Sequence, residues 1–372
     1  MPPIQIMIVD DSLVVRKVLT DVLSSDPDLK IAGWASNGRL ALSKLQTLRP
    51  DVILLDIEMP EMNGLETIPG IRKILPRTPI IMFSTLTEQG AEATLDALAL
   101  GASDYLTKPS NQNMAATSEA IRRDLIPKIK ALCHFLVSAP APASGQVPAP
   151  AAPSVIAPIP RPAIRIHAPP ARLGQLKIVA IGVSTGGPDA LAKLLPAFPA
   201  NFPLPVVIAQ HMPPIFTELL AKRLSSKCAL PVREGKQGEA LDPGCIWIAP
   251  GDFHMVVQEE NHKVSLRTHQ GPRENFCRPS VDVLFRSVAA SYGAGALGVI
   301  LTGMGQDGLK GCEALCAAGA SVIAQDEATS VVWGMPGFVA RAGLAEKILP
   351  IDQIGGEIFR RVAAQPSFQL TH

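Results

Sequence analysis

The sequence predicts two open α/β domains, each with a parallel β-sheet covered by helices. Short apolar segments alternate with amphipathic segments about five times before residue 110, and the same rhythm resumes after residue 175. Most of the short segments in the second half, such as PVVIAQH and GCIWIAP, are continuously apolar, which is typical of strands buried on both faces. Between the halves lies a proline- and alanine-rich segment that is predicted to be extended. We therefore predict a first domain over 1–137, a linker over 138–172 and a second domain over 173–372.

Composition excludes several classes of protein. A formal net charge of +1 over 372 residues gives no electrostatic reason to expect nucleic-acid binding. No apolar run approaches the roughly 18–20 residues of a membrane helix, so no direct membrane insertion is expected. The N-terminus, MPPIQIMIVDD, lacks the basic region of a signal peptide. The six cysteines form no CxxC pair, which predicts reduced thiols and a cytoplasmic protein.

Polar side chains end four of the five strands predicted in the first domain. They are Asp10 and Asp11 after the first strand, Asp56 after the third, Ser84 after the fourth and Lys108 after the fifth. Each alone is explained as well by helix capping or a loop start. Together they would lie at one edge of a parallel sheet, where three carboxylates repel one another unless a cation such as Mg²⁺ lies between them. A carboxylate is also a nucleophile toward phosphorus, so the set predicts a phosphorylation site.

The motifs VDDS, LLDIEMPEMNGLE and YLTKP make residues 4–125 resemble the receiver domain of bacterial response regulators. The resemblance implies a flavodoxin-like (βα)5 fold and phosphorylation of Asp56 by a histidine kinase. The Mg²⁺ ligands that it implies are Asp10, Asp11 and Asp56, with a backbone carbonyl at or near Glu58.

The same resemblance implies a conformational switch in the first domain. Lys108 would bind the phosphoryl group. Ser84 and Tyr105 would form the pair of side chains that moves on phosphorylation.

The stretch AIGVSTGGPDALAKLL, residues 180–195, has a strand, a glycine-rich turn and a helix in succession, as phosphate-binding loops do. A dinucleotide fingerprint requires glycine where Ser184 stands, and a P-loop requires Gly-Lys-Ser/Thr where this turn has Gly-Gly-Pro. Both phosphate-binding interpretations therefore fail. A serine in a tight strand-to-helix turn, beside backbone N–H groups that stabilise an oxyanion, is instead predicted to be a nucleophile.

A serine hydroxyl needs a base to remove its proton. Among seven histidines, His211 is the best candidate because it ends the strand PVVIAQ, whereas His254 is a weaker alternative on a predicted strand. A third group should orient the imidazole. Asp307, in the glycine-rich segment LTGMGQDG, is favoured over Asp326, which follows the next strand.

The segments GVSTGGP, AQHMPPIFT, RPSVDVLF, LTGMGQDG and AQDEATSVVWGMP make residues 176–350 resemble the catalytic domain of the protein-glutamate methylesterase family of bacterial chemotaxis. With the receiver and linker, the resemblance covers the whole chain and implies a doubly wound parallel sheet in the second domain. It implies Ser184 as nucleophile, His211 as base and Asp307 as the group that orients the base.

The resemblance further implies that backbone groups near Thr185 and Met304 serve the oxyanion, and that the ester chemistry needs no cofactor. Cys277 departs from the pattern, because a larger side chain is expected before RPSVD. We expect this departure to alter the rim of the substrate site without altering the three catalytic side chains.

The function implied is hydrolysis of glutamate methyl esters on membrane chemoreceptors through an acyl-enzyme, with deamidation of receptor glutamines as a second activity. Phosphorylation of the receiver would uncover the cleft at Ser184. Two alternatives remain open: a binding module whose receiver is a phosphate sink, and a serine hydrolase acting on small esters or peptides.

Overall fold

The computed structural model describes residues 2–108, 114–138, 175–260 and 263–365. The predicted linker over 138–172 lies outside these ranges except at its first residue, Ser138. Within the described ranges, no helix has the combination of length and apolar character that a bilayer crossing requires.

Five parallel strands form the first sheet in the part of residues 2–138 that the structure describes. Their order, β2-β1-β3-β4-β5, confirms the flavodoxin-like prediction. The elements are β1 (Ile4–Val9), α1 (Leu13–Leu23), β2 (Leu29–Ala35), α2 (Gly38–Leu45), β3 (Val52–Asp56), α3 (Gly64–Ile74), β4 (Ile80–Ser84), α4 (Glu88–Ala99), β5 (Asp104–Thr107) and α5 (Met114–Ser138). All residues of β3 and β4 are buried, which explains their continuous apolar sequences.

Seven parallel strands form the sheet of the second domain, counted over the described residues from 175 onward. Their order is β14-β13-β12-β6-β7-β9-β8, as the doubly wound prediction requires. The elements are β6 (Ile178–Val183), α6 (Gly187–Leu194), β7 (Val206–Gln210), α7 (Phe216–Ser225), β8 (Val232–Glu234), β9 (Ile246–Ile248), β10 (His254–Glu260), β11 (Lys263–His269), α8 (Val281–Tyr292), β12 (Ala296–Ile300), α9 (Leu309–Ala317), β13 (Ser321–Gln325), α10 (Met335–Arg341), β14 (Lys347–Leu349) and α11 (Ile351–Ala363). Strands β10 and β11 pair as a separate antiparallel hairpin.

The strand order reverses direction at β6. The chain passes from β6 to β7 on one side, and returns later to place β12 on the other side. In open α/β sheets, a crevice forms at the carboxyl ends of the strands where the order reverses. Ser184, His211 and Asp307 all follow these three strands, so the topology directs them to one crevice.

Helix α8 packs closely against β6 beneath this crevice. A Cβ atom added to Gly182 would lie 2.3 Å from Cγ1 of Val281, the first residue of α8. Only glycine at this position allows the helix to approach the strand that carries the serine turn.

The two domains are in direct contact through the first two residues of β5. The ring of Tyr105 stacks on Phe216 of the second domain, with 4.9 Å between centroids and 6° between planes. Beside it, the Thr185 hydroxyl donates a hydrogen bond of 2.8 Å to Oδ2 of Asp104. The receiver is therefore packed against the residue that follows Ser184.

We expect Gly182→Ala to destabilise the second domain by about 1–3 kcal/mol, because the new methyl group overlaps Val281. Thermal unfolding followed by circular dichroism should show a midpoint several degrees lower. Gly356→Ala is the matched control: Gly356 is an exposed position in α11 with no neighbour within 4 Å of the added atom. That change should raise stability by up to about 1 kcal/mol. Equal effects of the two changes would contradict the packing argument.

Candidate active site and receiver site

Ser184 lies in the turn between β6 and α6, and its backbone is hydrogen-bonded to the ends of two neighbouring strands. Its N–H donates to the carbonyl of Thr302, which follows β12, over 3.0 Å. Its carbonyl accepts a hydrogen bond of 3.0 Å from the Gln210 side chain at the end of β7. Gly186 has a φ of 77° and permits the sharp entry into the helix. The position of Ser184 is thus determined by the sheet rather than by a free loop.

His211 and Asp307 are in contact: Nε2 of the imidazole lies 2.7 Å from Oδ2 of the carboxylate. Asp307 is only 2% exposed, yet it accepts five hydrogen bonds from the described residues. Besides His211, the donors are the Asn275 amide, the Ser280 hydroxyl and the backbone N–H groups of Val281 and Asp282. Burial would raise the pKa of Asp307, but the hydrogen bonds from His211 and its other donors hold it well below its usual value. The carboxylate is therefore ionised.

An ionised carboxylate only accepts hydrogen bonds, so His211 donates from Nε2 and the neutral ring carries its lone pair on Nδ1. Nδ1 lies 3.5 Å from Sγ of Cys277. Burial would lower the pKa of His211, but the Cys277 sulfur and the Asp307 carboxylate together raise it above its usual value. Cys277 therefore reaches beyond the rim of the cleft, because its sulfur contacts the imidazole itself, while the His211–Asp307 pair stays intact.

Ser184 and His211 line the same cleft, whose volume is about 850 Å³. The Ser184 hydroxyl makes no hydrogen bond with any described residue, so it shares the cleft with the imidazole without being bonded to it. Catalytic hydrogen bonds are commonly loose before substrate binds. Nδ1 of His211, the nitrogen that would accept the serine proton, faces the thiol of Cys277.

Thr185 and Met304 flank Ser184 in the cleft. Their backbone N–H groups donate no hydrogen bond to any atom of the described residues. Thr185 precedes the N-terminus of α6, where backbone N–H groups favour negative charge. Unpaired donors on both sides of the serine are suited to an oxyanion.

His254, the alternative base, and Asp326, the alternative orienting group, make contacts elsewhere. His254 is buried on β10, where its ring contacts the carbonyl of Pro272 at 2.9 Å and accepts a bond from the N–H of Ser280. It therefore supports the segment that holds Asp307. Asp326 accepts hydrogen bonds from Thr329 within its own loop rather than contacting His211.

The receiver site has the predicted residues at the predicted edge. Nζ of Lys108 lies 2.8 Å from Oδ2 of Asp56 and 3.5 Å from Oδ2 of Asp10. Asp10 and Asp56 are buried, Asp11 is exposed, and ligand atoms of the three lie within 4.8 Å of one another. Oδ2 of Asp10 is buried and accepts no hydrogen bond from the described residues, which suits a hard cation such as Mg²⁺.

The predicted switch residues point away from this site. The Ser84 hydroxyl donates to the carbonyl of Gly90 over 2.9 Å instead of contacting Asp56. Tyr105 is buried in the stack with Phe216. The predicted switching role therefore requires both side chains to move from these positions.

Fold and sites together define a class: a phosphoacceptor-type receiver domain joined to an α/β domain with a hydrolase-type Ser/His/Asp cleft. The family model described as "CheB methylesterase" matches residues 179–358, and the family model described as "Response regulator receiver domain" matches residues 6–118. The chain belongs to the CheB methylesterase family, in the form that carries a receiver domain.

Relatives match nearly the whole chain. A Trichodesmium erythraeum protein named protein-glutamate methylesterase/protein-glutamine glutaminase is 49% identical, covering 97% of this chain and 100% of its own. A Nocardioides protein of the same name is 49% identical, covering 98% of this chain and 97% of its own. The solved catalytic domain of the Thermotoga maritima CheB methylesterase is 44% identical and covers 50% of this chain and 99% of that chain, with a TM-score of 0.49.

Burial and neighbouring charges perturb the pKa of Asp56. Burial raises the pKa of Asp56 to about 6, while the hydrogen bond from Lys108 opposes that rise and the negative charge of Asp10 adds to it. We expect Lys108→Met to raise the pKa of Asp56 further and Asp10→Asn to lower it. Carbon-13 NMR titration of selectively labelled aspartate carboxyls, without Mg²⁺, measures both. Shifts in the same direction for the two variants would contradict this account.

Proposed function

We propose that this chain is a phosphorylation-controlled serine esterase that hydrolyses glutamate methyl esters on chemoreceptors and deamidates receptor glutamines. The observation that carries the proposal is the His211–Asp307 pair in the cleft beside Ser184, in a chain whose relatives bear the corresponding enzyme names. Its substrate is thus a side chain of another protein, which has to enter a cleft that the receiver partly lines.

In the first step, the Ser184 oxygen attacks the ester carbonyl and its proton passes to Nδ1 of His211. The ionised Asp307 stabilises the imidazolium that forms. The N–H groups of Thr185 and Met304 receive the oxyanion of the tetrahedral intermediate. His211 then returns the proton to the leaving oxygen, and methanol departs.

In the second step, water attacks the acyl-enzyme while His211 accepts its proton and then returns that proton to Ser184. The glutamate carboxylate is released. With a glutamine side chain the leaving group is ammonia instead of methanol, and the remaining steps are unchanged.

Asp10, Asp11 and Asp56 would hold Mg²⁺, which offsets the negative charge of an incoming phosphoryl group. Asp56 is the phosphoacceptor, a histidine kinase is the donor, and Lys108 binds the phosphoryl oxygens. The chain acts in the cytoplasm, where both the kinase and the methylated parts of the receptors are accessible.

The contact between the domains supports control by the receiver. Residues of β5 and α5, among them Tyr105 and Lys128, form one wall of the Ser184 cleft. Asp104 holds the Thr185 side chain, and the Thr185 N–H is one of the two oxyanion donors. Movement of Tyr105 on phosphorylation would loosen this wall and admit the receptor.

We expect Ser184→Ala to lower kcat/KM for methylated receptor by at least about 10³-fold, because the acyl-enzyme cannot form. The measurement is methanol released from methyl-labelled receptor. A fluorophosphonate probe should label the wild-type chain and a Ser291→Ala control, in which a half-buried serine of α8 is removed, but not Ser184→Ala. Turnover of free small esters without turnover of receptor would favour the small-ester alternative.

We expect acetyl phosphate with Mg²⁺ to raise receptor demethylation by about 5–150-fold, the range that a coupling of a few kcal/mol supplies. Asp56→Ala should abolish this response while leaving the basal rate, because the phosphoacceptor is lost. A full response in Asp56→Ala would overturn the assignment of the receiver site.

Two further variants test whether the stack of Tyr105 on Phe216 restrains the unphosphorylated enzyme. Phe216→Ala removes the stack with Tyr105 and should raise the unphosphorylated rate by up to about 10-fold. Asp96→Ala removes a partly exposed ion pair with Arg223, which also joins the two domains but does not involve the ring stack, and should change the rate little. Thermal unfolding checks that both variants are folded.

A further inference from the structure

The contact between Cys277 and His211 is not used by the ester chemistry described above. Sγ of Cys277 faces Nδ1 of His211 at 3.5 Å, and both side chains line the open cleft. The thiol also donates a hydrogen bond of 3.3 Å to the carbonyl of Asn275. A cysteine sulfur and an imidazole nitrogen are, once deprotonated, ligands that zinc-class cations prefer.

The separation of the two atoms suits a single cation. Zinc binds cysteine sulfur at about 2.3 Å and histidine nitrogen at about 2.0–2.1 Å in tetrahedral geometry. Those bond lengths place the two ligand atoms about 3.6 Å apart, and the observed separation is 3.5 Å. The separation of the two atoms is thus the one that a shared ion requires.

The far side of the imidazole is arranged as in known metal sites. Histidines that bind a metal through one nitrogen usually donate the other N–H to a carboxylate, which sets the tautomer and increases the basicity of the ligand. Nε2 of His211 donates to Asp307 in this way. One carboxylate oxygen of Asp307, the sulfur of Cys277 and one ring nitrogen of His211 lie within 4.8 Å of one another.

We propose that Nδ1 of His211 and Sγ of Cys277 form a binding site for a zinc-class divalent cation, and that occupation of this site blocks the hydrolase. Binding releases the thiol proton, so that a thiolate and a neutral imidazole coordinate the ion. The remaining positions are open to water in the cleft. The bound ion occupies the lone pair that would accept the Ser184 proton, so the serine cannot be activated.

This site is chemically distinct from the receiver site. Asp10, Asp11 and Asp56 offer oxygen alone, which suits Mg²⁺, whereas the cleft offers nitrogen and sulfur. An excess of Mg²⁺ therefore occupies the receiver and leaves the cleft for the softer ion. Metal binding in the cleft stands on geometry alone, whereas its inhibitory effect rests on the proposed esterase function.

Cobalt(II) is the probe for binding, because a thiolate ligand gives it a charge-transfer absorption in the near ultraviolet. The full-length chain, with excess Mg²⁺ and a thiol-free reductant, should show this absorption and lose it when zinc is added. Cys277→Ser should abolish it, and Cys228→Ser, which removes a half-buried thiol elsewhere, should retain it. Asp307→Asn should weaken cobalt binding by about 10–100-fold. Absorption that persists in Cys277→Ser would overturn the site.

Activity supplies the second measurement. Zinc should inhibit receptor demethylation in the wild-type chain and in Cys228→Ser, and chelation should restore the rate. In Cys277→Ser, whatever its basal rate, the same zinc concentration should no longer inhibit. Cobalt binding without inhibition would overturn the blocking role, whereas a wild-type chain that binds cobalt but never demethylates receptor would contradict the proposed function and leave the metal site standing.

Discussion

The buried carboxylate of Asp307 is the constraint on which the active-site cleft depends. A charge this deep is tolerated only because hydrogen-bond donors from three separate segments converge on it. Those segments are the turn at Asn275, the start of α8 and the end of β7. By drawing them together, the carboxylate places the imidazole of His211 and leaves Nδ1 as the nitrogen that does not contact Asp307. The hydrogen bonds that keep Asp307 ionised therefore also build the site.

Much of this arrangement could be predicted from the sequence because parallel strands place their carboxyl ends at a common edge. That rule located Ser184, His211 and the receiver carboxylates without any knowledge of contacts. Strands β8 and β14 have only three residues each and lie at the edges of the sheet, so the sequence contains little apolar signal for them.

The supporting residues could not be predicted, because their roles arise from long-range packing rather than from local pattern. From the sequence, Gln210 is only the last residue of a predicted strand, yet its side-chain amide donates a hydrogen bond to the Ser184 carbonyl. Asn275 lies in an unremarkable polar turn and reaches Asp307 across 32 positions of sequence. Cys277 could be identified as a departure from the family pattern, but the chain gives no indication that its sulfur meets the imidazole. The roles of Tyr105 and Phe216 likewise depend on the docking of one domain on the other.

The stack of Tyr105 on Phe216 has a consequence for how the two halves of such proteins evolve. One ring belongs to the signalling half and the other to the hydrolytic half, so a change in the size or polarity of one ring alone disturbs the contact between the halves. Joining this receiver to a catalytic half that lacks a matching ring would remove the stack. A well-folded chimera with mismatched rings would keep both chemistries and lose the communication between them.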